Sequence, residues 1–403
     1  MPTRFARLTA PALLAYALLA PLAQGAPHIP ASGGAVLERL PRRADPVQRE
    51  LASLRAQLAA NPRELALATR TAQRYIAVAR QETDPRYFGY AQAALAPWWS
   101  MAAPPPEVRL LRAILLQSTH HFAEALGDLD AIVATDPANP QAWLTRAIVQ
   151  TVRGDYQAAT ASCARLSSLS TELVTITCVA NVGAMSGRAA KSEALLEMTL
   201  RRNQEADAGM RVWVLTLLGE MAQRRGDARV AEERFKRALA LDPRDSYLLG
   251  AYADFLLEQR RAPEVIALVK DHARIDALLL RHALALRQGG AGAGAGAQLR
   301  AADAELKARF EAAMRRGDTV HQREQARYEL HIRADAKTAL ALAQQNWAVQ
   351  KESADMIILL EAAAKAGDKA AAAPVIDWVA KHALEDVAVA RLVKQIKQIK
   401  AGA

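Results

Sequence analysis

The stretch LLGEMAQRRGDARVAEERFKRALALDP, residues 217–243, decides the fold. Its apolar and small residues recur at helical spacing on either side of Gly226-Asp227, which reads as two helices joined by a tight turn. Gly219 and Ala231 are small where the helices cross, so the backbones approach closely. Phe235 fills the gap between them and Ala238 continues the inner face. Pro243 stops the second helix, because proline lacks the N–H that the ladder needs.

This pattern resembles the tetratricopeptide repeat, a helix pair about 34 residues long. The resemblance recurs upstream in Trp143, Ala147, Gly154-Asp155-Tyr156 and Ala159, and before that in Ala113, Leu116, Phe122, Ala125 and Asp136-Pro137. Pro137 and Pro243 lie 106 residues apart, three periods plus a small insertion that Arg202 to Gly209 absorbs. Between them Ala180, Gly187 and Ser192 mark an eroded copy, and Tyr252, Ala253 and Leu256 open a fifth. One helix pair cannot bury its own apolar face, so stacked neighbours must share a continuous core. The resemblance implies an all-α protein: an α-solenoid of stacked antiparallel helix pairs wound as a right-handed superhelix.

Composition agrees. Hydrophobic residues are 51% of the 403 and aromatics only 5%, because the helix formers Ala and Leu carry the apolar content. The net charge of +10, from 52 basic and 42 acidic residues, is dominated by Arg spread among acidic neighbours. With no basic block interleaved with aromatics, no nucleic-acid partner is expected. Arg4 and Arg7, an apolar run from Pro11 to Leu22, and the small residues around Gly25 read as a secretory signal peptide over residues 1–25, cleaved after about Gly25. The expected location is the periplasm or the exterior, without stable membrane insertion. Cys163 and Cys178 fit such a compartment either as a disulfide or as two small buried thiols.

Residues 26–45 form the expected mobile lead, 46–105 hold repeat-like helical hairpins, and 106–270 are the repeat array. Residues 271–288 read as one more helix and 289–297, alternating Gly and Ala, as a flexible loop. Residues 298–403 read as degenerate repeat-like hairpins broken at Gly317-Asp318 and Gly367-Asp368, with Trp347, Leu359, Leu360 and Trp378 in their core.

Catalytic signatures are missing. The sequence has no Gly-x-Ser-x-Gly elbow, no Walker-type phosphate loop and no His-Glu-x-x-His, and no cofactor or metal is expected. Adjacent His120 and His121 diverge in a turn; His321 with Glu324, and His382 with Glu385, read as exposed polar neighbours on a helix face. An enzymatic or metal-handling role would need several of His272, His282, His321 and His331 in one pocket.

The resemblance implies recognition through a concave groove lined by the first helix of each pair. Carried onto this chain, the groove positions are Gln141, Leu144, Ile148, Thr151 and Val152 in one copy, then Val174, Thr177, Asn181, Ala184 and Met185. Next come Trp213, Thr216, Glu220, Gln223 and Arg224, followed by Tyr247, Asp254, Leu257 and Glu258. These positions depart from the Lys/Asn/Arg set with which some members grip a terminal carboxylate. Trp213 and Tyr247 are candidate aromatic anchors, Trp213 alternatively packing between repeats. Asn181 is a candidate for pairing with a peptide backbone, and Glu220, Asp254 and Glu258 favour a basic or polar segment. Arg391, Lys394, Lys397 and Lys400 make a basic face on the last helix, either a solubilising cap or a contact for an anionic surface. The expected function is a non-catalytic periplasmic scaffold or adaptor for a protein or peptide partner. The alternative is a permanent subunit of an envelope assembly or export complex.

Overall fold

A computed structural model describes residues 45–82, 84–289, 294–318 and 322–399. The expected signal peptide and nearly all of the lead lie outside these residues, as do His321 and Lys400. The chain divides into two units, Met1–Glu50 and Leu51–Ala403. Helix α1 (Pro46–Ala60) spans that division, and every later helix belongs to the second unit. No strand occurs among the described residues.

The second unit is a succession of antiparallel helix pairs. Before the repeats stand α2 (Leu65–Glu82), α3 (Arg86–Ala94) and the single turn α4 (Ala96–Trp99). The array proper pairs α5 (Pro106–Ser118) with α6 (Phe122–Thr135), and α7 (Pro140–Arg153) with α8 (Tyr156–Arg165). It continues with α9 (Glu172–Ala184) and α10 (Ala189–Arg202), α11 (Ala208–Arg224) and α12 (Ala228–Leu241), then α13 (Ser246–Glu258) and α14 (Ala262–Val269). Beyond lie α15 (Asp276–Gly289), α16 (Ala295–Arg315) and α17 (Gln322–Tyr328), which runs into a π-helical turn at Glu329–Arg333. The chain closes with α18 (Ala336–Val349), α19 (Ser353–Ala366), α20 (Lys369–His382) and α21 (Val387–Gln398).

The Gly-Asp dipeptides explain the pair boundaries. Gly154 and Gly226 both take the left-handed conformation, φ +82°, that ends one helix at no steric cost. Asp155 and Asp227 then accept from Ala158 N–H and Val230 N–H, each at 3.1 Å, capping the next helix. Gly367-Asp368 repeats the device between α19 and α20. In the α5–α6 and α13–α14 pairs His120 and Arg260 take the left-handed position instead, at φ 61° and 59°. That substitution is tolerated at about 1 kcal/mol and hides the turn from a search for glycine.

Packing follows the repeat residues. Ala113, Ala125, Ala147, Ala159, Ala231, Phe235 and Ala238 are buried, while Pro137 and Pro243 stand exposed just beyond the ends of α6 and α12. Phe235 joins Tyr252 and Phe255, ring centroids 5.6 and 5.8 Å away, in a core shared by α9 to α15. Trp143 is half-buried; its indole N–H donates to the Pro137 carbonyl at 2.9 Å.

Two features differ from the sequence reading. The Gly/Ala run expected as a loop over 289–297 is helical at both ends: α15 includes Gly289 and α16 starts at Ala295, capped by left-handed Gly294. Residues 290–293 lie outside the described ones. Moreover, the C-terminal hairpins do not simply extend the stack. Their apolar residues, among them Trp347, Met356, Leu359, Leu360, Val375 and Leu392, share one core with Ala147, Tyr156, Cys163, Cys178, Val182 and Met185 of α7 to α9. Periodicity cannot foresee this, because it reports which face of a helix is apolar and not which neighbour covers it.

Candidate functional site

The first helices of the pairs, α7, α9, α11 and α13, present the positions expected in the groove, and the C-terminal helices cover part of them. Leu144 and Val174 pack at the edge of the core shared with α18–α21. Thr151, Thr177, Ala184 and Met185 are buried, and the Val152 carbonyl accepts the Lys351 N–H at 2.7 Å. Gln141 is exposed and donates to Thr145 Oγ1 at 3.0 Å, while Ile148 is half-buried.

The later positions form a polar wall. Glu220 on α11 accepts from the Tyr247 hydroxyl of α13 at 2.9 Å, and Tyr247 is nonetheless 59% exposed. Burial pushes the Glu220 carboxyl up to about 7, against the pull of Arg224 and the Tyr247 hydrogen bond. One turn on, the Arg224 guanidinium donates to the Met185 thioether at 2.8 Å. Gln223 donates to Glu258 at 2.8 Å. Asn181 and Trp213 are half-buried, and neither side chain makes a hydrogen bond within the described protein.

Asp254 behaves otherwise. Expected as a ligand-facing acid, it is held by two guanidinium groups, Arg281 at 2.5 Å and Arg327 at 2.9 Å. Arg281 also reaches Glu324 at 3.2 Å and donates to the Gly250 carbonyl. Burial would raise Glu324, yet Arg281, Arg327 and Arg323 outweigh it and hold the carboxyl at about 2. Arg323 in turn reaches Glu352 at 2.9 Å and Asp355 at 3.4 Å. This ionic cluster ties α13 and α15 to α17 and α19. Asp254 is therefore a structural partner here. The reading of Glu324 as an exposed neighbour of His321 is likewise corrected: it is 9% exposed, inside the cluster.

His382 is corrected too. Helix α20 ends at His382 and Ala383 is left-handed, so Glu385 does not share its helix face. The imidazole instead meets Tyr156, ring centroids 4.9 Å apart. His331 pairs with Glu361 at 2.9 Å, and no group of three or more metal-ligating side chains occurs among the described residues. Cys163 and Cys178 are bonded, joining α8 to α9 with their Cα atoms 5.6 Å apart.

Sequence reasoning missed Arg281, Arg323, Arg327 and Lys351. A signal existed for Arg281: one cation inside the run Leu278–Leu286 needs a partner when that helix is buried.

Helix pairs stacked in chain order, with Gly219 against Phe235 at the crossing, make this a tetratricopeptide-type α-solenoid fold. No protein-family model matches the chain, and no curated protein matches it. Among solved structures it is similar to a tetratricopeptide repeat protein from Parabacteroides merdae, at 13% identity and TM-score 0.37, covering 72% of this chain and 98% of that one. It is similar also to Cut9–Hcn1 of the APC/C, at 12% identity and TM-score 0.41, covering 78% of this chain and 52% of that one. The human IFIT1 dimer with m7Gppp-AAAA is 14% identical with TM-score 0.39, covering 88% of this chain and 87% of that one. No helix among the described residues is long and apolar enough to cross a membrane.

Proposed function

We propose that this chain is an exported, non-catalytic scaffold that binds a segment of a protein partner along the wall formed by α9, α11 and α13. The observation that carries this reading is the wall's unspent recognition chemistry. The Asn181 amide and the Trp213 indole N–H have no hydrogen-bond partner within the described protein, and the Tyr247 ring is exposed on α13. Aromatic rings supply contact area at small entropic cost, and an amide on a groove wall pairs with a peptide backbone. Glu220 and Glu258 favour a segment bearing Lys or Arg. The disulfide between Cys163 and Cys178 supports an oxidising compartment, as does the signal-like N-terminal sequence.

The test is a crosslinking capture from a native envelope fraction, using the wild-type chain and the triple variant Asn181→Ala, Trp213→Ala, Glu220→Ala, with melting curves to show that both are folded. Loss of a captured protein in the variant supports the wall as the interface. Equal capture by both chains overturns it.

A further inference from the structure

Three left-handed glycines close consecutive pairs: Gly154 between α7 and α8, Gly187 between α9 and α10, Gly226 between α11 and α12. A single C-terminal segment lies against all three, in order. A Cβ at Gly154 would stand 2.3 Å from Trp378, at Gly187 3.0 Å from Ala383, and at Gly226 3.4 Å from Val387. Residues 378–387 thus form a strap along the turn edge of three repeats. Its seat holds Tyr156, which meets both Trp378 and His382, whose own rings are 4.3 Å apart.

The seat is polar in the wrong places. Trp378 Nε1 and His382 Nε2 are both shut off from solvent; the Trp378 indole is within reach of the Tyr156 hydroxyl, while His382 Nε2 has no hydrogen-bond partner among the described residues. A neutral imidazole tolerates this with an idle lone pair. A protonated one carries N–H donors on both nitrogens, and the one on the enclosed Nε2 would have no acceptor.

We propose that the strap is an acid-released latch: it docks while His382 is neutral, and protonation of His382 undocks α20–α21 from the turn edge. Burial pulls the His382 pKa below its usual value, and Lys381 beside it acts in the same direction. The other groups acting at the seat are Tyr156 from α8, Lys351 from the α18–α19 link, 6.0 Å from the Trp378 ring, and Arg224, Glu352 and Asp355, whose charges reach Tyr156. Glu385, in the link to α21, makes no ion pair with His382 and acts on Arg225 instead. Because the docked imidazole titrates below the released one, docking is at full strength above about pH 6.5 and is lost as pH falls below it. Leu144 and Val174, two groove positions, pack against the same shared core, so release would also loosen their surroundings; this consequence rests on the groove reading above.

Hydrogen exchange of the full chain at pH 7.5 and 5.5, corrected for intrinsic rates, tests the latch without a partner. At pH 5.5 the amides of α20–α21 should lose protection by up to about tenfold per pH unit, while those of α12 and α13 keep theirs. His382→Phe, which retains a ring but cannot titrate, should keep the strap protected at both values. Trp378→Ala should release it already at pH 7.5. The latch is overturned by an unchanged wild type, by an equal pH response in His382→Phe, or by α12 and α13 opening in step with the strap. Capture of a partner is read separately, so a failed groove reading leaves the exchange result standing.

Discussion

The Phe235 ring stands where a side chain on Gly219 would have to be: a Cβ there would lie 2.7 Å from the ring. Phe235 is fully buried between α11 and its neighbours and cannot yield. Gly219→Ala should therefore destabilise the chain by about 1–3 kcal/mol through overpacking, although alanine is the better helix former. Gly127, exposed on α6 with nothing near its missing Cβ, is the control. Gly127→Ala should stabilise by about 0.5–1 kcal/mol, and urea midpoints of the two variants should move in opposite directions.

Glu220 makes stability depend on pH. Its carboxyl titrates at about 7 when folded, against about 4.3 in an unfolded chain. The folded state therefore binds the proton more tightly, and the stabilisation that protonation brings is complete below about pH 4.3 and lost as pH rises through 7. Glu220→Gln keeps an oxygen for the Tyr247 hydroxyl and removes the half-buried charge. At pH 8 it should be the more stable chain by on the order of 1 kcal/mol, a figure reduced for the water that reaches this wall. At pH 4 the two should unfold together. A constant gap across that range would show that the charge is not responsible.

Arg281 bridges two carboxylates, and removing it leaves both short of a cation. Arg281→Met should cost about 3 kcal/mol, the lower end for breaking a buried pair because Arg327 remains. The acid limb should move as well. Glu324, held at about 2, contributes stability that is present above its unfolded value and lost as pH falls toward 2. Without Arg281 the folded carboxyl titrates higher, so this contribution is smaller and is exhausted at a higher pH, which acid titration followed by circular dichroism would record.

The Cys163–Cys178 bond closes a short loop, the two residues lying 15 apart in sequence. A loop of that length is worth about 3 kcal/mol of unfolded-chain entropy. The double variant Cys163→Ala, Cys178→Ala should lose roughly that much in urea denaturation. Since both residues lie in the core shared with the C-terminal hairpins, α20–α21 should open first, with hydrogen exchange reporting the order.

How far the sequence could be read follows from what each signal encodes. Gly154-Asp155 and Gly226-Asp227 were legible as turns because glycine and the capping carboxylate each have a local physical role. The burial of Ala147, Ala159, Ala231 and Phe235 is local too, set by the crossing of two adjacent helices. Long-range relations were not legible. Nothing near Asp254 in sequence announces Arg327, and nothing near Tyr156 announces His382; the partners come from helices whose consensus has eroded. The positions that the resemblance implies for a groove have neighbours their own sequence does not announce: Asp254 faces guanidinium groups, and Leu144 packs against the C-terminal core.

The strap has a consequence for descent. Helix-pair arrays commonly lengthen or shorten by duplicating or losing a unit, since each unit contacts only the next. Here Trp378, Ala383 and Val387 are matched to the turns of three particular units. Inserting or deleting one unit among them would shift at least one match and strand the remainder of the segment. Residues 378–387 therefore act as a ruler: they permit substitution within the units they span while forbidding any change in how many there are.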